Sequence, residues 1–442
     1  MQPLEAARGV IPLRRRVRIG VTGLRRSGKT SLLTSLAVNL LAMGRGIPAL
    51  PALSQRLGGR AIRVKLAASG AQTMPRFDAM AKAQALAADP PGWPQPTDSV
   101  SLLALDIDID QQGIFRALPA QRLRLELLDY PGEWLLDLPM LGQSFETWSA
   151  NTLRRLEALP EAQGFLAFVH GLPAGMSADE ALIDSGHRLY AACLRALQAR
   201  GLSLLQPGRF LMPAPGAASP WQSFFPLTGN GGLQRLLQAR FDAYVGAITT
   251  EMSAPGFAGI DRLIVVADLL GALHAGRTAF EDASSALSLV CGALASRKQL
   301  PLLPSWLQPW GIGRIAFAAT KSDHVASRQR ANLAALMTQL VAAPAHAEWR
   351  SFALASINCT EDFVWTLDGR PVSAVRGHVA GQGLVRSYPG EVPDRRPELA
   401  DWAHDFLALP NFSPKRLDPG GRGTIPQIEL DRLLVFLLED ML

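Results

Sequence analysis

Cysteine is scarce in this chain: three residues in 442, widely separated at Cys193, Cys291 and Cys359. Their spacing excludes a zinc cluster and a CxxC redox centre, and so few thiols suit a reducing compartment. Long apolar runs are missing too. The strongest, Leu263 to Leu273, is interrupted by Asp268 and falls well short of the roughly 18 apolar residues of a membrane span. Charged residues make up only 19 %, and 44 Lys plus Arg against 38 Asp plus Glu leave a net charge of +6. That excess, spread over a large surface, specifies neither nucleic acid nor lipid as a partner. The early arginines Arg14, Arg15, Arg16 and Arg18 are not followed by the apolar stretch and small-residue cleavage site of a signal peptide, so the expected location is the cytoplasm. No HExxH, nucleophile elbow or paired-carboxylate arrangement is present, which removes the usual hydrolase classes built on them.

Apolar residues, at 48 %, are plentiful, and the length allows one large domain or two to three ordinary ones. Strand-like and helix-like patterns alternate. VRIGV (Val17 to Val21) leads through glycine into an apolar-periodic run, Ser31 to Met43. Val100 to Ile109 and Leu123 to Leu128 read as two strands of a hairpin, and Phe77 to Ala88 as a helix. Helical pattern dominates from Glu133 to about Arg200 and resumes from Leu233 to Val245, around a Pro-, Gly- and aromatic-rich stretch at 204–232. Strand candidates return at Arg262 to Ala267, Ile315 to Ala319 and Phe352 to Ile357, with helices between them. Residues 378–426 read as loop, before an apolar helix from Glu429 to Leu442. Strands alternating with helices predict an α/β sheet covered on both faces.

Gly23-Leu24-Arg25-Arg26-Ser27-Gly28-Lys29-Thr30 matches GxxxxGK[ST] between a strand and a helix. Glycines let such a loop turn its N–H groups toward phosphate oxygens, and the helix adds its N-terminal dipole. Lys29 would reach the β- and γ-phosphates and Thr30 would ligate Mg²⁺. Arg25, Arg26, Ser27 and Ser31 join the candidate nucleotide contacts, the two arginines without a catalytic part. A Mg-nucleotide site also needs an acid at the end of a neighbouring strand. LRLELLD supplies Asp129, and Asp129-Tyr130-Pro131-Gly132 matches DxxG, whose Gly132 N–H would face the γ-phosphate. Glu133 stands where many GTPases place a water-orienting glutamine, and equally where an acid would favour the start of a helix. Thr97, just before SLLALDIDI, is the candidate to complete the Mg²⁺ shell, with Thr73 a poorer one farther from that strand.

IAFAATKSD sets Thr320-Lys321-Ser322-Asp323 directly after an apolar strand, matching [NT]KxD. A carboxylate at Asp323 can accept from both N1–H and the exocyclic amine of guanine, which adenine cannot offer, while the Lys321 stem lies along the base. Ala355-Ser356-Ile357 follows the next strand, where Ser356 and Ile357 would present backbone to guanine O6. The three elements occur in the order that a GTP/GDP site requires.

Five blocks, GVTGLRRSGKTSLLTSLAVNLL, LELLDYPGEWLLDLPML, LLQPGRFLMPAP, ATKSDHV and PQIELDRLLVFLLEDML, closely resemble the YcjX-like family of bacterial P-loop NTPases. The resemblance extends over nearly the whole chain. It implies a Ras-like G-domain core of three-layer αβα form, guanine-nucleotide binding, links to stress regulons and a neighbouring membrane-protein gene. A membrane-protein partner and a peripheral place at the inner membrane would follow. The expected division is a first part of the GTPase core at 1–132, a mostly helical insertion at 133–259, the second part of the core at 260–377, and a loop-rich C-terminal extension at 378–442. Three functions remain open at this point: a slow regulatory GTPase, an ATPase or remodelling protein in which TKSD is accidental, and a nucleotide-stabilised scaffold with negligible hydrolysis. The acidic residues Glu429, Asp431, Glu439 and Asp440 in the last helix favour packing against protein over insertion into anionic lipid.

Overall fold

The computed structural model describes residues 15–67, 74–97, 100–113, 116, 119–211, 222–252, 259–295, 312–341, 347–403, 406–418 and 423–442. Arg14 and Thr73 lie outside them, and the side chain of Glu133 is likewise outside what is described.

Seven strands form the central sheet: β1 (Arg15–Gly23), β2 (Ile62–Leu66), β3 (Ser101–Ile109), β4 (Gln121–Asp129), β5 (Arg262–Ala267), β6 (Arg314–Ala319) and β7 (Glu348–Ala353), in the order β2-β3-β4-β1-β5-β6-β7. From β4 to β7 every pairing is parallel, while β3 runs antiparallel to both β4 and β2. Inner strands such as β5 and β6 are apolar throughout because both sheet faces are covered. Leu263, Val265 and Ala267 enter one apolar layer, and Ile264 and Val266 the other, as a period of two requires.

The layer containing Ile264 is closed by α1 (Lys29–Met43), α2 (Pro51–Leu57) and α12 (Leu430–Leu438), numbered in chain order with the helices below; α3 (Ala79–Ala87) packs beside α1. Within α12, Leu430, Leu433, Leu434, Phe436, Leu437 and Leu438 are buried, so its apolar stripe is used inside the protein. The opposite layer holds α9 (Leu269–His274), α10 (Arg277–Ala295) and α11 (Arg330–Leu340). It is continuous with the helices between β4 and β5: α4 (Gly132–Leu135), α5 (Phe145–Glu157), α6 (Gln163–His170), α7 (Glu180–Ala199) and α8 (Gly232–Met252). Aromatic rings fasten this region, with Trp148 5.2 Å from Phe241 and Phe224 5.3 Å from Tyr244 between centroids.

Two of the sequence expectations need correction. The strand expected at Phe352 to Ile357 ends at Ala353; the following residues leave the sheet and turn toward a cavity. The stretch expected as loop from 378 contains the end of β9 (Arg370–Val379) and all of β10 (Gly383–Ser387), which pair antiparallel with β8 (Thr360–Leu367) in a second sheet. That sheet is largely exposed on one face, so it carries too few apolar residues to stand out. Edge strand β2, IRVKL, was hidden for the same reason.

Candidate nucleotide site

The phosphate loop leaves β1 at its C-terminal end and is pinned to β5. Gly23 has φ +150°, and a Cβ there would stand 2.0 Å from the Val266 carbonyl oxygen, so the close approach excludes any side chain. Leu24 N–H donates to that same oxygen at 3.1 Å. Gly28, left-handed at φ 87°, caps α1 and turns the chain into the helix. Lys29 opens that helix and curls back, its Nζ donating to Gly23 O at 3.0 Å. The loop arginines diverge: Arg26 borders the nucleotide cavity, whereas Arg25 lines a small crevice with Leu136, Gln198 and Leu202 from the region between β4 and β5.

Beyond the loop, the Thr30 and Thr97 hydroxyl oxygens lie 3.4 Å apart, although 67 residues separate them. Asp129 is buried at the end of β4, in register with Val21 on β1 and Ser101 on β3. Tyr130 N–H donates to Val21 O at 2.9 Å, which carries the DxxG turn across the end of β1. A Cβ on Gly132 would fall 1.6 Å from Gly23 O and 3.1 Å from Lys29 Nζ, so this glycine backbone lies directly against the loop and its lysine. Glu133 is in the single helical turn α4.

The Thr-Lys-x-Asp element follows β6. Thr320 Oγ1 donates to Ala267 O at 3.2 Å, tying it to β5. Lys321 adopts φ 60° and pairs its ammonium with Asp268, the N-cap of α9. Asp323 is 2 % exposed, and its Oδ2 accepts the Cys359 N–H at 2.9 Å. Thr360 Oγ1 donates to the Asp323 carbonyl, so residues 359–360 hold the aspartate from both ends. Burial pushes the Cys359 thiol up, which keeps it protonated, and pushes the His324 imidazole down, which keeps it neutral.

A cavity of about 470 Å³ joins the two halves, within the usual range for small-molecule sites. Arg26, Ser27, Gly28 and Ser31 border one end; Thr320, Lys321, Asp323, Ser356 and Ile357 border the other. Lys29, Thr30, Thr97 and Gly132 gather outside this lining, against the loop, and Asp129 at the end of β4 is also outside it. Further walls come from Trp93 to Pro96 and from Asn411 and Phe412, which sequence reasoning did not single out because they belong to no phosphate or base motif. His324 is also in the lining; its place beside Asp323 was the only signal of it.

The Thr30 and Thr97 hydroxyls and the buried Asp129 carboxylate are hard oxygen donors, the ligand type that Mg²⁺ takes. No group of three or more His, Cys, Asp and Glu able to hold a metal occurs among the described residues.

A phosphate loop and a Thr-Lys-x-Asp element sharing one cavity at the C-terminal ends of parallel strands, within a three-layer α/β fold, define a Ras-like P-loop protein. Residues 17–442 match the YcjX-like family, DUF463, and the chain belongs to that family. It is 33 % identical over 460 residues to a protein of Escherichia coli K12 named Ras-like GTPase YcjX, covering 97 % of this chain and 96 % of that one. A Shewanella oneidensis protein of the same name is 30 % identical over 466 residues, covering 97 % and 95 %. Among the described residues no helix is long and apolar enough to cross a membrane.

Proposed function

We propose that this chain binds GTP with Mg²⁺ and hydrolyses it slowly to GDP and phosphate, as a regulatory GTPase connected with stress. The observation carrying this reading is the single cavity bordered by both the Ser27–Gly28 loop and the buried carboxylate of Asp323. The names of the two relatives support the same base. Gly23, Ser27, Gly28, Lys29 and Ser31 hold the phosphates, with Arg26 at the rim, while Thr30, Thr97 and Asp129 hold the cation. Bound Mg²⁺ would neutralise charge on the β- and γ-phosphate oxygens. Lys29 and the Gly132 N–H stabilise the γ-phosphate, and Asp323, Thr320 and the Ser356–Ile357 backbone read guanine. Residues 133–259 act as the insertion that responds to the nucleotide state. With the apolar stripe of α12 buried, a membrane-protein partner is favoured over lipid insertion as a route to the inner membrane.

Base identity is the deciding test. Asp323→Asn puts a donor where guanine also presents one, and xanthine offers a carbonyl there instead. Loss of a hydrogen bond to a charged group weakens GTP by about one to two decades, while XTP should bind better than before. Competition titrations with GTP, XTP and ATP read the outcome. A wild-type preference for ATP, or no loss of GTP relative to XTP, would show that the protein is an ATPase or that TKSD does not read the base.

A further inference from the structure

An arginine from the region between β4 and β5 lies over the segment that follows the DxxG turn. The Arg209 guanidinium carbon is 4.2 Å from the centroid of the Trp134 ring. Trp134 is buried and grips the turn in two ways. Its N–H donates to the Pro131 carbonyl at 3.2 Å, and its ring meets that of Tyr130 at 5.9 Å and 85°, edge to face. Arg209, Trp134 and Tyr130 therefore form one stack that ends inside Asp129-Tyr130-Pro131-Gly132. Gly132 closes the same turn, its backbone directly against Gly23 and Lys29.

The foot of the stack is seated without help from the arginine side chain. Gly208 N–H donates to Asp137 Oδ1 at 2.7 Å, and the Gln206 amide donates to the Leu136 carbonyl. Those bonds fix the 206–209 segment beside 134–137. What the guanidinium adds is a flat cation on an indole face, an attraction that strengthens where water is excluded. Without it, the Trp134 ring loses one of its two faces of support, and the turn it grips can shift with it. We propose that Arg209 is a positioning residue for the γ-phosphate: through the Trp134 ring it holds the Tyr130–Gly132 turn in place to meet that phosphate. This rests on the guanine-nucleotide reading and on Gly132 as a γ-phosphate contact. It makes Arg209 the residue through which the 133–259 region bears on the nucleotide state.

The experiment compares GDP with the non-hydrolysable β,γ-imido analogue of GTP, by displacement of a fluorescent guanine nucleotide from the full-length protein. Single-turnover GTP hydrolysis is measured on the same preparations. Arg209→Met keeps the aliphatic stem and removes the cation. It should weaken the analogue and slow hydrolysis by about three- to tenfold each, with GDP changed less than roughly twofold. Arg209→Lys keeps the charge without the flat guanidinium and should fall between wild type and Arg209→Met. Trp134→Leu should show the same selective loss, and adding Arg209→Met to it should cost little more, because the two residues act as one unit. Thermal melting identifies any variant that has lost its fold, and Arg209→Lys carries the comparison if Arg209→Met is among them. Equal weakening of GDP and analogue would reduce Arg209 to a packing residue and overturn the proposal, as would unchanged analogue binding or losses that add in full. Gly132→Ala in the same series separates the two failures. If it lowers analogue binding relative to GDP while the Arg209 variants do not, the stack alone is overturned; if it does not, the γ-phosphate assignment of Gly132 has failed and the stack falls with it.

Discussion

The Tyr244 hydroxyl donates to Asp137 Oδ2 at 2.7 Å, joining α8 to the segment that follows Gly132 across 107 residues of sequence. Asp137 is fully buried, and its other oxygen accepts Gly208 N–H at 2.7 Å. Nearby, Gln206 donates to the Leu136 carbonyl and the Arg209 guanidinium lies 4.2 Å from the Trp134 ring centroid. The chain just beyond the DxxG turn is therefore fastened to the helices between β4 and β5 at several points.

Burial raises Asp137 from its ordinary 3.8 to about 6, against the opposing pull of its bonds from Gly208 and Tyr244. Between those values the folded protein keeps a proton that the unfolded chain has released. Stability should accordingly fall as pH rises through that window and stay lower above it, by roughly 3 kcal/mol from this group. Asp137→Asn removes this dependence whatever it does to stability overall. Denaturant unfolding at pH 4, 5, 6 and 7.5 should show wild type losing ground to the variant as pH rises. A constant difference between them would refute the shift.

Gly132→Ala tests the contact between the two nucleotide elements. An added methyl must displace Gly23 O or the DxxG backbone, with a stability cost of about 1–3 kcal/mol. Because Gly132 is assigned to the γ-phosphate, GTP affinity should drop by more than GDP affinity. Calorimetric titration of both nucleotides is the check, and equal losses would detach Gly132 from that role.

Lys29→Ala removes the charged phosphate contact while leaving Gly23 and Gly28, which shape the loop, in place. GTP affinity should decline by about one to two decades with little change in melting temperature. Wild-type binding and turnover in this variant would dismiss the phosphate-loop assignment.

Glu133→Ala distinguishes a water-orienting acid from one that simply opens the helical turn of α4. The first role predicts slower single-turnover hydrolysis with GDP affinity unchanged; the second predicts a lower melting temperature and an equal rate. The expected rate effect is smaller than loss of a water-orienting glutamine would produce, and equal rates would exclude the water role.

Much of the fold was legible because its signals are local. The phosphate loop carries its own glycines between a strand and a helix, and β5 and β6 are apolar enough to declare themselves buried on both faces. Tertiary placement was less accessible. Thr97 lies 3.4 Å from Thr30 between hydroxyl oxygens, but no spacing rule brings Asn411 and Phe412 to the cavity, or Cys359 to the Asp323 carboxylate. The β8–β9 hairpin did leave a signal: Asp368-Gly369, with φ 50° and 75°, is the positive-φ pair that a tight hairpin turn demands. It passed unread because the flanking strands are half exposed and weakly apolar.

The position of α12 also orders events during synthesis. Its residues cover the Ile264 and Val266 side of the sheet, and Arg262 donates to the Leu437 carbonyl and pairs with Asp440. Roughly 170 residues separate the end of β5 from the end of α12. At ordinary elongation rates the ribosome needs about 10–30 s to make them. Throughout that interval the nascent sheet carries a bare apolar strip, on the same side as the helix that begins at Lys29. Until α12 is made, the apolar residues it covers lack that cover, and the sheet that carries the phosphate loop completes its packing only once α12 arrives.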